Sequence, residues 1–152
     1  MEETIILLRE QTVFCSRLLK LFADLTESIK NNSLEMSKIA GQIEPVIMEL
    51  SKSSRKAQTF LNKMKFKNFY DLIDAQEDGI KKDVAKRLLQ HNSDLQSKLQ
   101  RQTKLLKTMT DKGKDFVNFS LNIMSRASTT NTYGAAANTG TQSGRRLFDA
   151  NV

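Results

Sequence analysis

The chain has 152 residues, of which 39% are hydrophobic and only 7% aromatic, with one proline, six glycines and no tryptophan. Such a length suits one domain with one core of ordinary size, and the scarcity of aromatic residues and helix breakers argues against a β-rich fold. The formal net charge of +7 is compatible with nucleic acid, an acidic membrane surface or an acidic protein partner. Basic and acidic residues are interspersed along the chain, which is typical of solvated helix surfaces and disfavours a nucleic-acid-binding protein.

Cys15 is the only cysteine, which excludes an intrachain disulfide bond. Its position on an apolar helix face suits a small buried side chain. The chain begins with Met1, Glu2 and Glu3, whereas a secretory signal would begin with positive charge. No segment approaches the roughly 18 consecutive apolar residues of a membrane span. We therefore expect a cytoplasmic protein that is neither secreted nor inserted in a membrane.

The first predicted helix covers residues 3–30. Apolar residues recur there at steps of three, four and seven, which is the spacing of one helix face: Ile5, Leu8, Cys15, Leu18, Phe22, Leu25 and Ile29. Leu7, Phe14 and Leu21 widen this stripe, so the helix is expected to contact two neighbours, as in a bundle.

A second helix is predicted from Ser33, which is a plausible N-cap, to about Lys63. Pro45 lies inside the pattern, and because proline removes a backbone hydrogen bond we expect a kink there. A third, short helix from Phe69 to about Ala75 is predicted to be capped by Asn68.

The longest helix is predicted from Ile80 to Arg126, about 70 Å if it is unbroken. Its apolar stripe comprises Ile80, Val84, Leu88, Leu95, Leu99, Leu106, Met109, Phe116 and Ile123. The near-heptad spacing predicts an all-α fold, an antiparallel hairpin or bundle of long helices. Polar or small residues interrupt the stripe at His91, Gln102, Gly113 and Ser120. An alternative is a break near residues 91–94, with Ser93 capping a second helix.

Residues 127–146 are almost all small or polar, and such a segment buries too little apolar surface to offset the entropy of ordering. We therefore expect a helical domain over residues 1–126 and a flexible tail over residues 127–152. Tyr133 and the pair Leu147-Phe148 are the apolar anchors that this tail offers to a partner.

Residues that would support catalysis are scarce. One histidine and one cysteine cannot by themselves form a zinc or iron site, and no glycine-rich phosphate loop precedes a helix. His91 could act as a general base, but a polar residue in a helix seam is the simpler interpretation. We expect no enzyme activity, no metal and no cofactor.

The last turns of the predicted long helix carry more apolar residues than a two-helix seam requires: Phe116, Val117, Phe119, Leu121, Ile123 and Met124. Two interpretations are open. These side chains either pack on the first two helices or form an exposed groove for a partner's amphipathic helix.

The order of the predicted elements, followed by Thr132-Tyr133-Gly134 in the tail, resembles the FlgN family of flagellar type III export chaperones. A family element Asn-x-x-Asn-x-x-Leu in the last helix aligns with Gln100, Thr103 and Leu106, with both asparagines replaced. The ending Leu147-Phe148-Asp149-Ala150 is similar to that of some family members.

The resemblance implies a cytoplasmic chaperone without ATPase activity. It would bind the C-terminal segments of the hook-associated proteins that form the hook–filament junction, and deliver them to the cytoplasmic domain of the export gate. The cargo residues would be Leu106, Met109, Phe116, Phe119, Ile123 and Met124. Tyr133 would contact the export gate.

Three other functions remain open. The chain could be a structural coiled-coil homodimer, or a chaperone for another secretion substrate. It could also be a basic helical nucleic-acid binder, whose affinity would fall steeply with salt.

Overall fold

A computed structural model of the chain describes residues 1–109 and Asn122. Residues 1–109 form four α-helices and no strand: α1 (Glu2–Lys30), α2 (Met36–Met64), α3 (Phe69–Asp74) and α4 (Ile80–Met109). The predicted all-α fold is confirmed. The predicted division at residue 126 and the predicted tail lie outside the described residues.

Helix α4 is continuous through residues 91–94, so the alternative break near Ser93 is wrong. It is observed to Met109; apart from Asn122, the remainder of the helix predicted to Arg126, with its weak point at Gly113, lies outside the described residues. Helix α2 also remains one helix on both sides of Pro45, whose ring is exposed. Ile43, Val46 and Leu50 keep one buried face across that proline.

The start of α2 differs from the prediction. The helix begins at Met36, and Ser33 lies in the preceding turn, where its hydroxyl oxygen accepts a hydrogen bond from the backbone N–H of Glu35 at 3.2 Å. Asn32 adopts a left-handed conformation, with φ of 49°, which reverses the chain after α1. Because Ser33 lies in this turn and does not cap α2, the prediction that Ser33 is the N-cap of α2 is wrong.

The short helix α3 is capped as predicted. The side-chain oxygen of Asn68 accepts a hydrogen bond from the backbone N–H of Asp71 at 2.8 Å. This satisfies one of the donors that a helix leaves unpaired in its first turn. Phe69, Leu72 and Ile73 are buried and pin α3 to the bundle.

Helix α1 is the central helix, because α2 and α4 both pack against it. Helix α2 is antiparallel to α1, so that Lys56 near its end pairs with Glu10 at 3.0 Å. Helix α4 is parallel to α1: Lys81 pairs with Glu2 at 2.6 Å, and the Thr12 hydroxyl donates to the Asn92 side chain at 2.6 Å. Because α2 is antiparallel to α1, it returns the chain to the start of α1, and the short segment containing α3 connects α2 to α4 at that end.

We call the end of the bundle that contains α3 the base, and the end that contains the α1–α2 turn the tip. The core consists of two apolar clusters, one at each end. The base cluster comprises Leu7, Leu8, Ala57, Leu61, Phe69, Leu72, Ile73, Ala85 and Leu89. The tip cluster comprises Cys15, Leu18, Phe22, Ile43, Val46, Ile47, Leu50, Leu95, Leu99 and Leu106.

A polar layer separates the two clusters, and all three long helices contribute to it. Its buried members are Gln11 of α1, Ser53 and Ser54 of α2, and Asn92 and Gln96 of α4. The Asn92 side-chain amide donates to the backbone oxygen of Leu8 at 2.9 Å. Within the described chain, neither side-chain polar atom of Gln96 has a hydrogen-bond partner.

The buried face of α4 explains why the predicted stripe is wrong at its start. Ile80 is 84% exposed, whereas Val84 and Leu88 are half-buried. The interior positions belong to Lys82, Ala85, Leu89, Asn92, Leu95, Gln96, Leu99, Thr103 and Leu106. The predicted stripe is therefore buried at Leu95, Leu99 and Leu106, whereas in the first turns of α4 polar and small residues occupy the interior positions.

Lys82 is buried because its ammonium group donates hydrogen bonds to the end of α3 and to the segment that connects α3 to α4. It donates to the backbone oxygens of Asp74 and Gln76, at 3.2 and 2.7 Å, and to the carboxylate of Asp78 at 2.9 Å. These bonds satisfy carbonyl groups at the end of α3. The hydrogen bond from Lys82 to the Asp78 carboxylate, together with the positive charge of Lys82, lowers the pKa of Asp78.

Candidate functional site

The register between α1 and α4 determines what lies at the tip. The residues in the pair Glu2–Lys81 are 79 positions apart in the sequence, and those in the pair Thr12–Asn92 are 80 apart. A parallel pair with this constant offset brings Lys30, the last residue of α1, level with the last turn of the described α4. Helix α2 begins at Met36, just beyond the turn. Helix α1, the long helix against which α4 packs, therefore ends level with Met109.

Two adjacent leucines on the last turns of α4 have opposite environments. Leu106 is only 3% exposed and belongs to the tip cluster, whereas Leu105 is 40% exposed. Adjacent residues of an α-helix point about 100° apart, so Leu105 is directed away from the buried face. Gln102 and Met109, three and four residues from Leu105, lie on the same side of the helix and are half-buried.

Basic residues surround Leu105. Between Leu95 and Met109 the charged residues are Lys98, Arg101, Lys104 and Lys107, and none is acidic. Lys98 and Arg101 precede Leu105 by seven and four residues and so share its side of the helix. We call the surface formed by Lys98, Arg101, Gln102, Leu105 and Met109 the outer face of α4.

The positive charge of this segment is not neutralised by the described part of the chain. Lys98, Arg101, Lys104 and Lys107 form no ion pair with any described residue. The first half of α4 differs, since Lys81, Lys82 and Lys86 pair with Glu2, Asp78 and Asp74, respectively. Among the described residues of α4, the basic side chains without an ion pair are therefore concentrated toward the tip, and Arg87 is the one such residue in the first half of the helix.

The tip also has a shallow open cavity of about 380 Å³ between the ends of α1 and α2. Its lining is mostly polar and comprises Asp24, Glu27, Ser28, Asn31, Ser33, Glu35, Lys38, Ile39 and Gln42. Glu27 accepts a hydrogen bond from the Asn31 side chain at 3.2 Å. In its acidic character this cavity contrasts with the outer face of α4.

The two titratable residues singled out from the sequence, Cys15 and His91, lie in different environments. Cys15 is fully buried in the tip cluster, and this burial raises the pKa of its thiol to about 12. His91 is exposed on α4. Across residues 1–109, no three His, Cys, Asp or Glu side chains are grouped so that they could hold a metal ion. No helix in this range has the length and apolarity that crossing a membrane requires.

The predicted cargo residues fall into two groups. Leu106 is part of the bundle's own core and Met109 is half-buried at its edge. Phe116, Phe119, Ile123 and Met124 lie outside the described residues, as does the predicted gate residue Tyr133. The assignment of these residues to cargo and gate stays a prediction.

Sequence reasoning missed Leu105, although a signal for it exists. From Leu105, apolar residues follow at steps of four, seven, three and four, at Met109, Phe116, Phe119 and Ile123. The predicted stripe passes through Leu106 instead, because that leucine continues the spacing of Leu95 and Leu99. Packing in the tip cluster buries Leu106, as this spacing predicts, and leaves Leu105 exposed.

Over residues 1–109 the chain is an all-α bundle in which the outer face of α4 combines an exposed leucine with basic side chains. A family model described as "FlgN protein" matches residues 1–141, and the chain therefore belongs to the FlgN family of flagellar export chaperones. The resemblance seen in the sequence is confirmed. No curated protein and no solved structure matches the chain.

Proposed function

We propose that this chaperone binds the C-terminal segments of hook-associated proteins in the cytoplasm and delivers them to the cytoplasmic domain of the flagellar export gate. Membership of the FlgN family supports a role in flagellar export. One structural observation supports a cargo site at the tip: α1 ends level with Met109, while exposed Leu105 begins an apolar series that continues in the sequence.

Helical phase determines which residues after Met109 would share a side of the helix with Leu105. If α4 continues beyond Met109, then Phe116, Phe119 and Ile123 share the outer face with Leu105. Met124 follows Leu106 by about five turns and would share its phase. Because α1 ends at Lys30, no residue of α1 is available opposite any of them. A guest helix could bury these side chains, each contributing about 1.5–3 kcal/mol.

The cargo site can be tested by measuring the affinity of the full chain for the C-terminal segment of a hook-associated protein. Leu105→Glu places a charge on the outer face and is expected to weaken binding at least about tenfold. Ile6→Glu is the matched control, because Ile6 is 62% exposed on α1 near the base. Circular dichroism melts should show both variants folded.

The opposite pattern would contradict the cargo site: full affinity in Leu105→Glu and reduced affinity in Ile6→Glu. Light scattering adds an independent check, because a chaperone complex should contain cargo in fixed proportion. A coiled-coil homodimer whose mass does not change when cargo is added would favour the structural alternative.

The proposed gate contact is tested separately at Tyr133. Tyr133→Asp should retain cargo and lose the export-gate domain in a pull-down, since a charge replaces the aromatic ring. Tyr133→Phe is the control, because it preserves the ring. Loss of both partners in Tyr133→Asp, or of neither, would count against a gate-specific role.

A further inference from the structure

The unpaired positive charge on the outer face of α4 indicates the charge of the helix that would bind there. Lys98, Arg101 and Lys104 are exposed. Arg101 uses its Nε only for a long contact of 3.4 Å to the backbone oxygen of Ser97. The acidic residues of α1 near the tip, Asp24 and Glu27, form no ion pair with α4 among the described residues.

The charge also lies next to the apolar contact surface. Leu105 is preceded on its own side of the helix by Lys98 and Arg101. A helix that packs against Leu105 and Met109 must bring the residues flanking its apolar stripe close to these two cations. The charge of the residues that flank the apolar stripe of the bound helix should therefore affect how tightly that helix binds to the outer face.

We infer that the outer face of α4 selects an acidic amphipathic helix, in which Glu or Asp residues flank the apolar stripe that packs on Leu105 and Met109. This inference rests on the proposed function and specifies the chemistry of its cargo. A carboxylate placed beside Lys98 or Arg101 gains an ion pair and reduces the mutual repulsion of the basic residues. A lysine in the same position is repelled.

The size of the preference follows from the exposure of the two cations. A solvent-exposed ion pair contributes little by itself. Two such pairs, combined with relief of like-charge repulsion, are expected to change affinity roughly tenfold at low salt. Screening should reduce the preference at high salt, whereas the apolar contribution should persist.

The test uses the full chain and three synthetic helical peptides with an identical leucine stripe. Their flanking positions carry Glu, Gln or Lys, and affinities are measured by fluorescence anisotropy at low and high salt. The charge-reversal variant combines Lys98→Glu with Arg101→Glu. The control variant combines Arg55→Glu with Arg87→Glu, an equal charge change at exposed residues that form no ion pair in the described chain.

The expected order of affinity is Glu peptide, then Gln peptide, then Lys peptide, and Lys98→Glu with Arg101→Glu should reverse it. The Arg55→Glu and Arg87→Glu variant should preserve it. Equal affinity for all three peptides, with loss of binding in Leu105→Glu, would overturn the acidic preference while leaving the cargo site intact.

Two further outcomes would also overturn the inference. If none of the peptides binds, and Leu105→Glu leaves cargo affinity unchanged, then the proposed cargo site fails as well. If a DNA duplex binds in a manner that requires Lys98 and Arg101 while the Glu peptide does not bind, the basic face is a nucleic-acid surface.

Discussion

Two buried side-chain amides on α4 allow the contribution of the polar layer to the stability of the fold to be tested. Asn92 and Gln96 are four residues apart on one helix and are 0% and 3% exposed. The Asn92 amide donates to the Leu8 carbonyl at 2.9 Å, and its oxygen accepts from the Thr12 hydroxyl at 2.6 Å. Gln96 makes no side-chain hydrogen bond in the described chain. Replacement of each by leucine should therefore change stability in opposite directions.

The magnitudes follow from these partners. Burying an unsatisfied polar group costs about 1–3 kcal/mol, so Gln96→Leu should raise the free energy of unfolding by roughly that amount. Asn92→Leu removes two hydrogen bonds, each contributing about 1 kcal/mol, and should lower the free energy of unfolding by about 2 kcal/mol. For a chain of this size, each kcal/mol corresponds to about 2–4 °C in the midpoint of thermal unfolding.

Urea unfolding followed by circular dichroism measures both effects, and an unchanged slope shows that the surface exposed on unfolding is unaltered. The double variant should give nearly the sum of the single effects if the two amides act independently. Destabilisation of similar size in both single variants would refute the reasoning, because it would mean that Gln96 also stabilises the folded chain.

Three further predictions concern the core, the thiol and pH. Leu106→Ala should lower the free energy of unfolding by about 2–5 kcal/mol, because Leu106 is part of the tip cluster; a loss below about 1 kcal/mol in urea unfolding would contradict this burial. Cys15, fully buried and with its pKa raised to about 12, should react with a thiol reagent only as fast as the protein opens; rapid labelling of the native chain would disprove it. The hydrogen bond and the charge of Lys82 lower the pKa of Asp78, so Lys82→Met should raise that pKa toward its ordinary value in carbon-detected NMR titration. Since the folded pKa is depressed, the stabilisation by Asp78 is present above its unfolded pKa of about 3.9 and is lost as pH falls through the folded value. An unchanged Asp78 pKa in Lys82→Met would exclude Lys82 as the cause.

Most local features of the fold were predictable because they depend on neighbouring residues. The apolar period of three and four residues located α1, α2 and the described part of α4. The cap of α3 followed from one asparagine before a short apolar segment. The start of α2 was misplaced, because the left-handed Asn32 placed Ser33 in the turn rather than at the helix end.

The candidate site was only partly predictable, since its key distinction depends on contacts between helices. Leu105 and Leu106 are adjacent and chemically identical, and the family resemblance assigns Leu106, not Leu105, to cargo. Packing against α1 places Leu106 in the core and leaves Leu105 exposed. The unpaired charge of Lys98 and Arg101 likewise emerges only when the ion pairs of the bundle are known.

By itself, the sequence determined the helical class, the boundaries of most helices and the resemblance to a family, because periodicity, capping and short motifs are local properties. Tertiary structure decided the parallel pairing of α1 with α4, the polar layer around Gln96 and the side of α4 that stays exposed. Those features depend on which residues from distant parts of the chain meet, and several interior positions of α4 are polar or small. In the first turns of α4 the apolar stripe therefore locates the helix but does not identify the face that is buried.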